Sequence, residues 1–372
     1  MKELVNTYRR VGARLFGRWP TAQQSEFDPI DSRPIRIFMH RQIWGECPDL
    51  PPTGSSAMGT ARTWPGRFCW SRMYRCLTRS LTPRAPLGMA EIVVFGVAAA
   101  DIVLRVPRIP APGDHINAEA LGWRIGGSSA NVACGLSMAG HHVRLVGPVG
   151  TDSMGDQLVA ELERCSVDTE YCFRDDAASP RTLILLDETG ERTIIAVDAE
   201  AGPSSFLPVR GPDLGSVDCV YIEGYTRYPV CTAAAAESAL LVTSPPVAGA
   251  ATWPATVVLG SEMQYHDVTS AGIFEAIRSV SGERLEWVVV TRGREGADAY
   301  AASGQVHVDA VAAAQIDATG AGDAFTVGML HGLLQGDGMV TALQAGAAWG
   351  AATVAHLRSI PVPWEELAGP FR

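Results

Sequence analysis

Short β-branched runs that alternate with helical stretches constrain the fold of residues 89–372 more than any other feature. The runs DCVYIEG (218–224), ATVVLG (255–260) and EWVVVTRG (286–293) have the length and residue types of strands buried on both faces. Between such runs lie stretches with apolar residues at helical spacing, for example SMGDQLVAELERC (153–165). The alternation predicts a layered α/β fold with a mainly parallel sheet.

Two segments break this alternation. Residues 103–127 and 181–197 contain strand-like runs with no helix after them. The second segment predicts a hairpin, because DETGER lies between two apolar strands. Together the two segments predict a small sheet beside the main one.

The charge is divided unevenly along the chain. Residues 1–88 carry 14 Lys and Arg against 6 Asp and Glu, whereas the remaining residues carry 16 against 34. The acidic part argues against a nucleic-acid partner. Lys2 is the only lysine, which excludes Schiff-base chemistry and a phosphate-loop lysine from the acidic part.

Residues 1–88 differ from the rest in pattern as well as in charge. They hold four of the nine tryptophans and no sustained helical or strand period. One interpretation is a basic interaction arm. We favour a disordered extension, or upstream sequence translated from a misplaced start, because MAEIVVFGVAAADIVL from Met89 onward reads as a natural first strand.

The remaining global features predict a cytoplasmic protein without a membrane segment. The eight cysteines show no C-x-x-C spacing, so neither a disulfide framework nor a zinc site is expected. The N-terminus lacks the apolar stretch of a signal peptide. Residues 338–355 are uncharged and about as long as a membrane span, but they are mostly Ala and Gly, and we predict a buried packing helix.

The stretch DATGAGDAF (317–325) has the composition of a ligand-binding turn before a helix. Gly320 and Gly322 permit close approach of another molecule, and the N–H groups that begin the helix attract anions. Asp323 would repel a phosphate, so it needs another purpose. It can act as a general base toward an attacking hydroxyl, or it can cap the helix.

Two further stretches carry polar residues suited to a sugar and a nucleotide. GGSSANVA (126–133) opens a helix with Asn131 in its first turns; upstream, Asp101 is expected to end the first strand, and Asp114 lies in PAPGDHI. These side chains can bind sugar hydroxyls, and for Asn131 and Asp101 the alternative is that they satisfy local backbone groups. TRGREG (291–296) can cover nucleotide phosphates or form a simple hairpin turn.

In this order, and with the TGER hairpin, these stretches resemble the ribokinase/PfkB-like family of carbohydrate and nucleoside kinases. DATGAGDAF is similar to the C-terminal signature Asp-Thr-x-Gly-Ala-Gly-Asp-x-Phe. The run from Gly126-Gly127 through GPVGTDSMG (147–155) is similar to the N-terminal signature. The resemblance covers residues 89–372 and implies a ribokinase-like three-layer fold with a small β lid from about 103–127 and 181–197.

The resemblance also implies roles for residues at matching positions. Asp323 would deprotonate a hydroxyl of a sugar or nucleoside. The other implied roles are an anion hole from Gly320, Ala321 and Gly322, sugar contacts from Asp101, Gly127 and Asn131, and nucleotide contacts from Thr291, Gly293 and Gly296. The resemblance further implies that Mg-ATP is the phosphoryl donor and that a monovalent cation can bind as well. It also implies that the lid can form the contact between the two chains of a homodimer.

The sequence departs from the family pattern at three places, one of them near GAAWGAATVA, where an asparagine that often lies beside the nucleotide base is missing. Ala318 replaces the usual Thr, and Ser261-Glu262-Met263-Gln264 replaces the common Asn-x-x-Glu, which leaves Glu262 and Gln264 as metal candidates. A neutral Gln holds magnesium-bound water less strongly than a carboxylate. The expected function is therefore an ATP-dependent kinase, with a weak or inactive sugar- or nucleotide-binding regulator as the alternative. A dinucleotide oxidoreductase would need Gly-x-Gly-x-x-Gly after the first strand, which GVAAAD (96–101) lacks.

Overall fold

The structure is a computed structural model that describes residues 88–175, 178–197, 212, 214, 217–223, 240–245, 252–265, 272–363 and 366–367. The expectation of an extension over residues 1–88 lies outside the described residues, apart from Gly88. The described residues form strands and helices whose bounds follow in chain order. The strands are β1 (Glu91–Phe95), β2 (Ala99–Arg105), β3 (Glu119–Gly126), β4 (His142–Gly150), β5 (Cys172–Asp175), β6 (Arg181–Leu186), β7 (Arg192–Val197), β8 (Cys219–Ile222), β9 (Leu240–Thr243), β10 (Val257–Ser261), β11 (Trp287–Thr291), β12 (Ala297–Ala301) and β13 (Gly304–Val308). The α-helices are α1 (Ser128–Met138), α2 (Ser153–Arg164), α3 (Ile273–Ser281), α4 (Ala321–Leu334) and α5 (Met339–Val354), and short 3₁₀ helices span Glu262–Gln264 and Gly293–Glu295.

The central sheet has nine strands among the described residues, in the order β13-β12-β11-β10-β9-β8-β1-β4-β5. The strands from β11 to β5 in this order pair in parallel, and β12 and β13 are added antiparallel at one edge. In a parallel sheet the carboxyl ends of the strands share one edge, so β1, β8, β10 and β11 all end there.

The core lies on both faces of this sheet because successive side chains of a strand point to opposite faces. On β1, Ile92 and Val94 pack in the cluster that includes residues of α1, α4 and α5, whereas Val93 and Phe95 pack in a separate cluster with β8 and β9. Helix α3 packs against β10 and β11, on the same face of the central sheet as the cluster of β1, β8 and β9. This arrangement is the predicted three-layer α/β fold with a mainly parallel central sheet.

The predicted small sheet is present as four strands in the order β3-β2-β6-β7. Strand β2 pairs antiparallel with β3 and parallel with β6, and β6 and β7 form the predicted hairpin. We call this sheet the lid. It begins earlier than expected, because β2 starts at Ala99 rather than near residue 103.

The uncharged stretch 338–355 contains helix α5, which is the predicted packing helix, and this helix packs against α4. The glycines and alanines of the two helices let their backbones approach closely: a Cβ built on Gly328 of α4 would lie 2.5 Å from the carbonyl oxygen of Ala345 in α5. None of the described helices is long and apolar enough to cross a membrane.

Candidate active site

The turn before α4 has the geometry that its glycines predict. Gly320 adopts a left-handed conformation with φ of 79°, and a Cβ there would lie 2.1 Å from the carbonyl oxygen of Ser359. Gly320 is therefore required both by its backbone angle and by close packing. Gly322 differs, since it is exposed and a Cβ built on it would meet no atom of the described part of the chain within 4 Å. The start of α4 is thus open to solvent on the side of Gly322.

The first N–H groups of α4 lie beside this open face. Such groups lack partners within a helix and carry the positive end of its dipole. The N–H of Ala321 makes only a long contact of 3.4 Å with the carbonyl oxygen of Ala318. The helix start therefore has the chemistry of an anion site, and the proposed anion-hole residues Gly320, Ala321 and Gly322 are adjacent in it.

Asp323 lies in the first turn of α4 and is held from α1. Its Oδ1 accepts a hydrogen bond from Ser128 Oγ, and its Oδ2 accepts one from Asn131 Nδ2, both at 2.7 Å. The N-cap of α4 is Gly320, and no side chain among the described residues caps this helix. The alternative in which Asp323 only caps α4 is therefore not supported, because both of its described hydrogen bonds come from another helix.

The pKa of Asp323 is raised above its ordinary value. Burial causes the rise, and the hydrogen bonds from Asn131 and Ser128 and the positive charge of Arg192 oppose it. A carboxylate with a raised pKa takes up a proton more readily than a solvated one. The environment of Asp323 is that of a proton acceptor.

The Asn131 side chain, which donates to Asp323, also carries an oxygen that can accept a hydrogen bond from a ligand. Its side chain is buried, and its Oδ1 has no hydrogen-bond partner among the described residues. Buried polar atoms are normally paired, so an unpaired acceptor in this position suits a ligand hydroxyl. Gly127 precedes the helix with φ of 86°, and a Cβ there would lie 2.4 Å from the carbonyl oxygen of Val97.

Asp101 lies in the middle of β2, and our placement of it at the end of the first strand was wrong. The first strand ends at Phe95, and the chain turns at Gly96 before β2 enters the lid. In the lid, Asp101 is opposite Arg124 of β3 and Thr182 of β6. Burial raises its pKa to about 6, while the charge of Arg124 and a hydrogen bond from Thr182 oppose that rise. The Asp323 charge is close enough to raise this pKa further, which brings the two carboxylates into one region.

Asp114, by contrast, satisfies local groups. It accepts a hydrogen bond from the backbone N–H of Ala111 at 2.8 Å and pairs with Arg108. The described hydrogen bonds of Asp114 are therefore local, to residues three and six positions earlier in the chain.

Four functional candidates were missed from the sequence: Ser128, Tyr221, Glu223 and Arg124. Ser128 bonds Asp323 and also hydrogen-bonds the Tyr221 side chain. Glu223 directly follows β8, accepts a hydrogen bond from Ser129 Oγ at 2.7 Å, and has a pKa raised to about 7 by burial. Its position at the carboxyl end of a buried strand was the available signal.

Arg124 joins the lid to the segment that leads into α4. Its Nη1 donates to Asp317 Oδ2 at 2.7 Å, and Asp317 is fully buried. The other oxygen of Asp317 accepts from the backbone N–H of Thr319 at 2.8 Å. An ion pair of this kind, once buried, is costly to break from one side.

The nucleotide candidates lie at the end of β11 and in the turn after it. Thr291 is the last residue of β11 and lies beside Ser261 of β10. The turn contains Gly293 and Gly296 and connects β11 to β12 as a hairpin. A Cβ on Gly296 would lie 2.0 Å from the carbonyl oxygen of Val308, whereas one on Gly293 would meet nothing within 4 Å. Gly296 is needed for packing, and Gly293 leaves an open surface.

The two metal candidates are both engaged with other protein groups. Gln264 Oε1 accepts from Ser261 N at 2.8 Å, which closes a capping box around the 3₁₀ helix. Glu262 forms an ion pair with Arg292, whose Nε also donates to Asp298 Oδ2 at 2.6 Å. Within the described part of the chain, no group of three or more His, Cys, Asp or Glu is arranged to hold a metal.

Comparison with known proteins agrees with this architecture. The family model "pfkB family carbohydrate kinase" matches residues 89–243 and 260–366. An ATP-dependent ribose-1-phosphate kinase from Halopiger xanaduensis is 27% identical over 303 residues, covering 76% of this chain and 98% of that kinase. A fructokinase from Salmonella typhimurium is 29% identical over 254 residues, covering 59% of this chain and 80% of the fructokinase.

A solved structure shows the same fold at lower identity. The Arabidopsis thaliana ribokinase complexed with ribose and ATP superposes with a TM-score of 0.59 and 21% identity, covering 73% of this chain and 95% of that one. The family match spans both signature stretches and most of the described residues. The chain therefore belongs to the pfkB family of carbohydrate kinases.

Proposed function

We propose that the chain transfers the γ-phosphoryl group of ATP to a hydroxyl of a sugar or nucleoside, with Asp323 as the general base. One observation carries this proposal. The Asp323 carboxylate is held by Ser128 and Asn131 at a helix start whose neighbouring Gly322 is open. A proton acceptor and an anion site are thereby adjacent, as transfer from an alcohol to phosphorus requires.

The reaction follows from that arrangement. The substrate hydroxyl gives its proton to Asp323 as its oxygen attacks the γ-phosphorus, and an O–P bond forms. The bond from the γ-phosphorus to the oxygen that bridges it to the β-phosphate breaks, and ADP leaves with that oxygen. The N–H groups of Gly320, Ala321 and Gly322 would stabilise the charge on the equatorial oxygens.

The acceptor would lie between the lid and α1. Asp101 and Asn131 provide acceptors for its hydroxyls, and Gly127 allows close approach of the backbone. Glu223 lies in the same region, because the Asp323 charge contributes to its raised pKa. Carboxylates of this kind accept hydrogen bonds from vicinal hydroxyl groups.

ATP would lie on the side of Thr291, Gly293 and Gly296. The open surface at Gly293 supports this location. The family resemblance implies Mg²⁺ with the nucleotide, but the Glu262–Gln264 segment does not fit a protein-bound metal, since Arg292 and Ser261 occupy its polar groups. The proposed transfer therefore involves no protein-bound metal, and any Mg²⁺ would be held by phosphates and water.

The test is an ADP-release assay of the full-length protein against a panel of sugars and nucleosides with MgATP. Asp323→Asn should lower kcat by at least about a thousandfold while the Kd of the best acceptor changes by less than about threefold. Asp309→Asn is the matched control, because the Asp309 side chain is almost fully exposed. Near wild-type kcat in Asp323→Asn would exclude Asp323 as the base. Acceptor binding without ADP release across the panel would support a binding regulator instead.

We also propose that the lid pairs with a second copy of the chain. Strand β7 is an edge of the described lid sheet and exposes Ile194, Ile195 and Val197. Exposed apolar edge strands are regularly covered by another chain. Light scattering should give a dimer for wild type and a monomer for Ile194→Lys; a monomeric wild type would refute the proposal.

A further inference from the structure

The turn of the lid hairpin is seated on the segment that leads into α4. We call residues Gln315–Thr319 the signature loop. The carbonyl oxygen of Gly190 accepts from Gln315 Nε2 at 3.1 Å and from Ala318 N at 3.3 Å. Gly190 has φ of 79°, and a Cβ there would lie 2.9 Å from the carbonyl oxygen of Ile316. Only glycine allows this close contact between the lid and the loop.

The side chain of Gln315 joins the lid to a second element. Its Nε2 donates to Glu191 Oε1 at 2.8 Å as well as to the Gly190 carbonyl, and its Oε1 accepts from Arg294 Nη2 at 3.0 Å. The partners determine the orientation of the amide, because the nitrogen faces two acceptors and the oxygen faces a guanidinium. One side chain therefore bridges the lid hairpin and the turn Gly293–Glu295.

The backbone of the signature loop is held independently of this bridge. Asp317 is buried and bound by Arg124 and by the N–H of Thr319. The loop is also held from outside the lid, because the N–H groups of Ile316 and Asp317 donate to the carbonyl oxygen of Val354 at 2.8 and 3.2 Å. Gln315 therefore reaches the two elements from an ordered backbone. Ordering of the turn by a ligand would therefore restrict Gln315, and through it the hairpin.

We propose that Gln315 is a positioning residue that couples the lid over the acceptor to the turn beside the nucleotide. The inference rests on the proposed function, which places the nucleotide at the turn Gly293–Glu295. Nucleotide binding would order Arg294, Arg294 would hold the amide of Gln315, and the amide would hold the turn of the lid hairpin. The lid would then be partly positioned before the acceptor arrives.

Two substitutions separate the parts of the bridge. Gln315→Ala removes all three hydrogen bonds. Gln315→Glu keeps an acceptor for Arg294 but places a carboxylate oxygen against the Gly190 carbonyl and Glu191, so it breaks the lid side. Gln157→Ala is the matched control, because Gln157 is an exposed glutamine on α2 that bonds only Ser153 O among its described contacts.

The experiment is hydrogen–deuterium exchange of the full-length protein with and without saturating MgADP, with ADP binding measured by calorimetry. The readout is exchange of the hairpin amides over 181–197. In wild type and Gln157→Ala, MgADP should slow this exchange by roughly fivefold, within the usual range of coupling between sites. In Gln315→Ala and Gln315→Glu, ADP should still bind and the slowing should fall below about twofold.

Each contrary result has a separate meaning. If MgADP slows exchange of the hairpin amides in Gln315→Ala as much as it does in wild type, the proposed role of Gln315 is overturned. ADP that binds wild type without altering hairpin exchange would overturn the coupling itself. Absence of ADP binding to wild type would overturn the proposed function, and the inference with it.

Discussion

At the scale of single residues, the basicity of Asp323 is controlled from α1. Burial raises its pKa, and the hydrogen bonds from Asn131 and Ser128 lower it. As the proposed base, Asp323 must be ionised to accept a proton, so activity should be present above its pKa and lost as pH falls through it. Removal of a donor would raise that pKa and extend the loss to higher pH.

Ser128→Ala should therefore move the acidic limb of the kcat/KM profile to higher pH. At pH values on the acidic side of this limb in both proteins, kcat/KM of Ser128→Ala should be about tenfold lower than that of wild type. This is the effect expected for the loss of one hydrogen bond to a charged group. Ser137→Ala is the control, since Ser137 lies on the same helix but donates to Ser166 O at 2.9 Å. An unchanged acidic limb in Ser128→Ala would show that Asp323 does not govern the profile.

The sequence indicated the residues near the turn before α4 better than it indicated the side chains that bind them. Asp323 and Asn131 stand in signature stretches, and the structure brings them together. Ser128, Tyr221 and Arg124 gave no local signal. The hydrogen bond of Ser128 spans 195 positions, and the contact of Arg124 with Asp317 spans 193. Such partners depend on helix docking and strand register, which no local pattern reports.

At the scale of elements, the start of α4 depends on two glycines with different duties. Gly320 is needed for its backbone angle and its contact with Ser359, whereas Gly322 has open space beside it. A methyl group at the second position would strain nothing and would stand where the phosphoryl group is expected to approach. Substitution of Gly320 should therefore affect mainly folding, whereas substitution of Gly322 should affect mainly the proposed phosphoryl transfer.

Gly322→Ala should leave the free energy of unfolding unchanged or raise it by roughly 0.5–1 kcal/mol, because alanine favours a helix. It should nevertheless lower kcat/KM by at least about tenfold, because the phosphoryl group would be displaced. Gly320→Ala should instead cost roughly 1–3 kcal/mol of stability. Urea unfolding and steady-state kinetics measure both effects. Wild-type kinetics in Gly322→Ala would move the phosphoryl group away from this face.

Strands and helices were predicted correctly where apolar strand runs alternate with amphipathic helical runs. The prediction failed where the chain passes from the central sheet into the lid. The hairpin β6–β7 and the buried helix α5 were predicted and are confirmed. The strand that was expected to end at Asp101 is instead two strands separated by a turn at Gly96. Both are apolar, so only their pairing in different sheets distinguishes them.

At the scale of the whole molecule, the described site is built from residues between Gly96 and Ser359. The family match begins at residue 89. We therefore propose that residues 89–372 form the kinase domain and that residues 1–88 are not required for catalysis.

A chain that starts at Met89 should keep kcat/KM within about twofold of the full-length value, as for changes remote from the site. Its urea midpoint should also be unchanged. The measurement compares the two proteins with the same acceptor and MgATP. A loss of kcat/KM well beyond twofold would show that the first 88 residues contribute to the site.

With Asp323 as the proposed base, the hydrogen bonds that hold it would also determine when the protein becomes active during its synthesis. The donors lie on α1, and the carboxylate lies on α4, nearly two hundred positions later. A nascent chain can form the first strands and α1 early, yet it holds no assembled base until α4 has emerged and docked. On this proposal catalysis would be one of the last properties the growing chain acquires, and the appearance of activity would mark the completion of its folding.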